Sequence, residues 1–467
     1  MPFSKFLDSR REDCKKLVAE LSRTFAYVGI LGTDVASSMI GADRKTSAVS
    51  EGSMSECGFV IKMHNGRSFF EYSLDDITGD KTAIAKKIIE SVRVNEELSD
   101  KEICVPVPKD EPLTRSFSRE CDFDEFGDDE LLERAKSLRD SVLSEDSNIL
   151  NAIVRILPFT VSKLFISNER ELDQFYSWEN VMVFGIYREG EKMVMAREGT
   201  YSNLMKTALD EIPQAIPALV HKLRCLAKAK PITPGVYDVI TDPSISGLIA
   251  HEAFGHGVEM DQFVKDRALA KQYIGKYVAS PITNMHDGAA ATLSTASYFF
   301  DDDGVLASDT QIIRDGILVS GISDLVSATE LGTKPTGNGR RQSYKRKAYS
   351  RMTNTFFSPG KDKLEDMIKS IKHGYMLFET NNGMEDPKNW QIQCTAEYGI
   401  EIVDGKLTDN YVSPVVMSGS VPELLKSISM ISDDFKIIGA GSCGKGYKEW
   451  VRVSDGGPAL KVKVKLA

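Results

Sequence analysis

The sequence predicts an α+β protein of two domains: an α/β N-terminal half and a β-rich C-terminal half that carries one conspicuous helix. Three observations predict it. The chain has 467 residues, whereas one domain ordinarily takes roughly 100–200. The first half mixes amphipathic helical segments with strand-like runs. Beyond Pro231-Ile-Thr-Pro-Gly235 the pattern changes to short apolar runs separated by turn pairs. The boundary is therefore placed between residues 230 and 231, giving domains 1–230 and 231–467.

Each element follows in order. Residues 3–24 place apolar side chains at helical spacing, and FAYVGIL at 25–31 reads as a strand. GFVIKMHNG and RSFFEYSL read as two strands joined by Asn65-Gly66. Residues 81–98 form an amphipathic helix. Residues 105–127, with three prolines and the start of an acidic cluster, read as a surface loop or insertion. DDELLERAKSLRDSVL is a helix whose acidic first turn suits the helix dipole. Strand-like runs at 161–168, 180–190 and 191–199 precede a long helix over 203–229, interrupted near Pro213 and Pro217. In the second half one long helical segment spans 245–276. Asp303-Gly304, Asp315-Gly316 and Asp404-Gly405 sit between apolar runs as hairpin turns do. Two further helices are expected, over 361–373 and from Ser420, which has capping-box spacing to Glu423.

Composition excludes several function classes. Hydrophobic residues make up 42% and charged residues 27%, a soluble globular balance. The net charge of −10 argues against a general nucleic-acid binder, because phosphates repel it. Seven cysteines are scattered without a CxxC pair, which is no disulfide framework and points to a reducing compartment. The N-terminus lacks the apolar core of a secretory signal, and no run reaches the roughly 18 apolar residues of a membrane span. The expected location is the cytoplasm.

The sharpest motif is His251-Glu252-Ala-Phe-Gly-His256. Two histidines about one turn apart, with a glutamate beside the first, form the metal-peptidase pattern: imidazoles hold zinc and the carboxylate takes a proton from water. The spacing is unusual. Histidines four apart are offset by about 40° on an ideal helix, but five apart by about 140°. A straight α-helix cannot aim both at one ion. A π-type turn can, so the sequence predicts one between 251 and 256, where Gly255 loosens the backbone. A chance pair of histidines in a buried helix is the competing explanation. A catalytic site needs a third protein ligand. Glu259, Asp261 and His286 are local candidates; Cys443, flanked by glycines and near Lys445, is a remote one.

Residues 338–351 carry six basic side chains and no acid. Asn338, Arg340 and Arg341 are the candidates to grip a peptide backbone or terminal carboxylate, for which a guanidinium fork is suited. A solvated basic face is the plain alternative, and nucleic-acid binding a weaker third.

These landmarks together resemble the TldD/PmbA family of metallopeptidases, also called modulators of DNA gyrase, and within it the TldD-type subunit. The resemblance rests on AHEAFGHGVEMD at 250–261, DDDG at 301–304, TGNGRRQSYKRKAYSRMTNTFFSPG at 336–360 and GSCGKG at 441–446. It implies zinc on His251, His256 and Cys443, with Glu252 as the catalytic base. It also implies a two-domain subunit that dimerises, with itself or with a PmbA-type partner. The N-terminal domain then serves dimerisation and a substrate channel, and the C-terminal domain is the metallopeptidase. Substrates would be unfolded or short peptides held as an added strand. The sequence departs from the family pattern at GYKEWVRVSDGGP after the cysteine and at a shortened NNGMEDPKNWQIQC. The competing expectations are a non-catalytic partner or scaffold subunit of a peptidase heterodimer, and another zinc hydrolase such as a deacetylase.

Overall fold

The computed structural model describes residues 3–97, 104–447 and 449–467. Residue 98, the last of the helix expected over 81–98, lies outside them; the helix itself runs Lys81–Glu97. Among the described residues the fold is α+β, built on three main sheets.

The first sheet has eight strands. Its path runs Phe69–Leu74, Glu56–His64, Tyr27–Ala42, Ile149–Ser167, Arg170–Glu189, Leu113–Ser118, with Ser47–Glu51 and Lys192–Ser202 added at the sides. The long central strands alternate side chains between two faces. Along one stretch, Ile30, Ile61, Leu164 and Ile166 bury under the helices Lys5–Leu21 and Lys81–Glu97. Further along, Val154, Ile156, Val181 and Val183 bury under the helices Asp128–Ser144 and Met205–Lys228. The opposite side chains there, Met182, Phe184 and Ile186, remain half-buried, and Met193 and Met195 are exposed.

Two expectations change here. Pro213 and Pro217 do not interrupt their helix, which is continuous over 24 residues. Its buried row of Leu209, Ile212, Ile216, Leu219 and Leu223 outweighs the lost backbone bonds. The expected loop at 105–127 contains the strand Leu113–Ser118, paired parallel with residues 170–175. Its side chains are half-exposed or exposed, so no burial pattern announces it.

The C-terminal half holds the other two large sheets. Seven strands follow the order His373–Asp386, Gly235–Thr241, Leu460–Leu466, Val415–Ser420, Gln391–Val403, Lys406–Val412, with Met430–Ile431 at the side. Six strands follow the order Ile317–Leu318, Thr310–Arg314, Met285–Asp287, Asn354–Phe357, Glu449–Gly457, Lys436–Lys445. The last of these, Lys436–Lys445, is an edge strand. Asp315-Gly316 and Asp404-Gly405 both have positive φ at each residue (48° and 79°, 47° and 75°), as the tight hairpin turn requires.

The long helix expected over 245–276 is broken instead into an α-helix at Pro243–Leu248, a π-helix at Ile249–Gly255, a 3₁₀ turn at His256–Val258, and short helices at Met260–Val264 and Leu269–Tyr273. The break follows Gly255 and Gly257, and Glu259 is extended. The other two helices form over Leu364–Lys369 and Val421–Lys426, though the Ser420 hydroxyl makes no capping bond.

Candidate metal centre

The helix bearing the motif is fixed at its start. Asp242 accepts the Ile245 backbone N–H at 2.8 Å, and Pro243 occupies the first turn. Thr241 and Ser246 share a hydroxyl hydrogen bond of 2.7 Å. Gly247 lets the helix lie directly on the strand Glu449–Gly457: a Cβ there would stand 2.3 Å from the Gly456 nitrogen and 2.7 Å from the Asp455 carbonyl carbon. The following π-helix is the widened turn that the five-residue spacing predicts. It brings the His251 and His256 rings to 5.3 Å between centroids, their planes 87° apart. Gly255 packs closely inside it: a Cβ there would fall 2.1 Å from the Met352 sulfur, so that side chain would have to move.

Cys443 arrives from the edge strand Lys436–Lys445, and its Sγ lies 3.5 Å from His256 Nε2. The donor atoms of His251, His256 and Cys443 all lie within 4.8 Å of one another. His251 Nδ1 is buried without a hydrogen-bond partner. Two imidazole nitrogens and one thiolate sulfur, converging with a ring nitrogen left over, fit a zinc-type donor set. Electrostatics favour the thiolate at Cys443. Burial alone would push the Cys443 thiol up, but His256 and His251 hold it well below its ordinary value. Burial would lower His251, yet Cys443 carries it to about 9, and His256 is likewise raised. The thiolate is therefore the preferred form of Cys443.

Glu252 is half-buried and lines a cleft of about 1270 Å³ with the two histidines and Cys443. The opposite wall is the strand His373–Asp386. Its Gly383 packs so closely that a Cβ there would stand 2.4 Å from Glu252 Cγ. The Glu252 carboxylate has no hydrogen bond among the described residues, so it is uncommitted. Among the other carboxylates that line the cleft are Glu385 and Asp455. Burial pushes Glu385 well above the carboxylate range and Asp455 up to about 6. Sequence reasoning did not find either; neither belongs to a motif, and no local signal marks them.

The other candidates do not join the three donors. Glu259 does not face the three donors: its Oε2 lies behind the His256 ring, 3.2 Å from Nδ1. Lys445, expected to favour the thiolate, pairs instead with Glu259 at 3.0 Å and Asp261 at 2.7 Å. His286 bonds Asp309 at 2.8 Å and stacks on Phe356, outside the cleft.

Asn338, Arg340 and Arg341 are not brought to the cleft lining, which corrects the expectation of peptide contact. Asn338 is fully buried and donates to Asp287 at 2.7 Å and to the Arg351 carbonyl at 3.0 Å. Arg340 donates to the Met352 carbonyl at 2.6 Å and lies over Tyr298. Arg341 forms a fork on Glu71 at 3.0 and 3.4 Å. Beside it Lys62 pairs with Asp303 and Lys163 with Asp302. Arg341 and the DDDG aspartates thus meet Glu71, Lys62 and Lys163 of the first sheet in one charge cluster that joins the C-terminal half to that sheet.

Comparison with known proteins bears on the family and the fold. The model of the PmbA/TldA metallopeptidase C-terminal domain matches residues 234–466. A protein of Saccharolobus solfataricus named zinc metalloprotease TldD homolog is 30% identical over 302 residues, 64% of this chain and 67% of that protein. A metalloprotease of Synechocystis is 31% identical over 302 residues, 64% of this chain and 65% of its own. A metalloprotease TldD homolog of Haemophilus influenzae is 34% identical over 229 residues, 49% of this chain and 47% of its own. The matched stretches thus span about half to two thirds of these curated relatives. The chain belongs to the PmbA/TldD metallopeptidase family. Among solved structures, a putative modulator of a DNA gyrase from Thermotoga maritima superposes with a TM-score of 0.78 at 16% identity, covering 98% of this chain and 99% of that one. TldE from Thermococcus kodakarensis gives 0.77 at 17%, covering 97% and 100%. These two likenesses show the shared fold.

Proposed function

We propose that the chain is a zinc-dependent peptidase that cleaves unfolded or short peptides, with His251, His256 and Cys443 as metal ligands and Glu252 as the base. The observation that carries this is the convergence of three donors within 4.8 Å from two distant parts of the chain. A divalent cation held there would acidify a water and polarise a peptide carbonyl. Glu252, uncommitted and facing the same cleft, accepts a proton on a carboxylate oxygen and returns it to the departing amine nitrogen. The edge strand Lys436–Lys445 and the stretch 379–386 of the strand opposite flank the cleft. A peptide adding to such an edge is gripped through its main chain, which suits substrates of little common sequence.

The same reading assigns residues 231–467 the chemistry, and residues 1–230 a role in the channel and in dimerisation. The uncovered sheet face around Phe184, Ile186, Met193 and Met195 supports a partner there, either a second copy or a PmbA-type subunit. A cytoplasmic location fits the unpaired cysteines; no described helix is long and apolar enough to cross a membrane.

The test is to incubate the purified protein with an unfolded peptide and follow it by mass spectrometry. Internal cleavage that stops with a chelator and returns with zinc is expected. An intact peptide, or loss of an acyl group alone, refutes the reading.

A further inference from the structure

His256 has two ring nitrogens and each has a fixed direction. Nε2 points to Cys443 Sγ at 3.5 Å, and Nδ1 to Glu259 Oε2 at 3.2 Å. An ionised carboxylate accepts and cannot donate. In the neutral ring that a metal ligand must be, the N–H therefore sits on Nδ1, and the lone pair of Nε2 faces the side where Cys443 and His251 lie.

Glu259 is itself held from the other half of the site. It is 2% exposed. Lys445, two residues beyond Cys443 on the same strand, reaches Glu259 Oε2 at 3.0 Å, Asp261 Oδ1 at 2.7 Å and the Ser350 carbonyl at 3.0 Å. Arg351, 1% exposed, donates to the Cys443 carbonyl at 2.6 Å and to the Glu449 carbonyl at 3.0 Å. Its Nε lies 4.0 Å from Glu259 Oε1. Two acids and two cations balance in formal charge, so the cluster does not itself require a charged His256.

We propose that Glu259 is a positioning residue for metal capture. It fixes the ring and tautomer of His256 and, through Lys445 and Arg351, ties that ring to the strand bearing Cys443. Both halves of the site are then in register before a cation arrives. A buried ion cluster of purely structural use would hold the fold but leave metal affinity alone; an outer-shell partner of a ligating histidine changes it. The inference rests on the metal-peptidase reading.

Four proteins test it: wild type, Glu259→Gln, Glu259→Asp and Lys445→Gln. Each is checked for folding by circular dichroism. Zinc affinity is then measured by chelator competition, and the visible spectrum of the cobalt-loaded protein is recorded at saturating metal. Wild type should bind one equivalent. Glu259→Gln should bind roughly 10–100-fold more weakly and show shifted cobalt bands. Glu259→Asp should recover part of the affinity, and Lys445→Gln should show a smaller loss in the same direction. A folded Glu259→Gln with wild-type affinity and spectrum overturns the proposal. Should that variant not fold, Lys445→Gln decides, and unchanged affinity and bands there overturn it. A wild-type protein that takes up no zinc removes the metal-peptidase reading and this proposal with it, an outcome distinct from the others.

Discussion

Cys443 Sγ stands 3.5 Å from His256 Nε2, although 187 residues separate them in the chain. That contact has a direct consequence. Cys443→Ala and His256→Ala should each lose bound zinc, with affinity falling by more than the roughly 10–100-fold that an outer-shell partner costs. Metal content by inductively coupled plasma mass spectrometry checks it. One full equivalent of zinc in Cys443→Ala would remove the thiolate from the ligand set.

Glu252→Gln keeps the shape of the side chain and cannot take a proton. It should retain metal while peptide cleavage drops by roughly 10²–10⁴-fold. Wild-type turnover in a metal-loaded Glu252→Gln would assign the base elsewhere.

Arg341→Ala removes a buried guanidinium and takes its fork from the half-buried Glu71, which keeps only Lys62 at 3.3 Å. Breaking such a pair typically costs about 3–5 kcal/mol, so the variant should melt well below wild type. An unchanged melting temperature with a raised KM would restore Arg341 to substrate binding.

Glu179 gives a pH signature. It is fully buried, and neither carboxylate oxygen has a partner. Burial, with a smaller push from Asp122 against a weak pull from Ser177 and Arg452, raises it from 4.5 to about 9. The raised value means the folded state holds the proton. Stability from this group is fully present below about 4.5 and is lost as pH rises through about 9. Glu179→Gln does not titrate, so its apparent melting temperature should gain on wild type steadily between pH 5 and 9. Parallel melting curves across that range would show a constant difference if the carboxyl were not held neutral.

Gly247→Ala pushes a methyl group against the backbone of Asp455 and Gly456, which cannot rotate away. Overpacking of this kind costs about 1–3 kcal/mol. Lower thermal stability together with weaker zinc binding is expected, because the motif helix must lift off the strand beneath it. A variant indistinguishable from wild type in both measurements would show that the helix can shift freely.

The sequence carried the α+β class, the hairpin turns and the π-type turn, because each depends on neighbours along the chain. The π-helix is the clearest case: only a widened turn aims histidines five apart at one point, and the glycine that permits it sits inside the motif. Cys443 had glycines around it but no spacing rule, since the contact is set by sheet topology. Asn338, Arg340 and Arg341 were misread for the same reason. A run of basic residues looks solvated or functional until its partners are found, and the acid that takes Arg341 is Glu71, 270 residues away in sequence. The strand Leu113–Ser118 was invisible because main-chain pairing, not side-chain burial, holds it.

The three donors come from opposite sides of a long stretch of chain, His251 and His256 first and Cys443 last. During synthesis the histidine helix leaves the ribosome far ahead of the strand that completes it. On this reading, a growing chain has no cutting centre until residue 443 has emerged and paired, and cannot trim itself or its neighbours while it is being made.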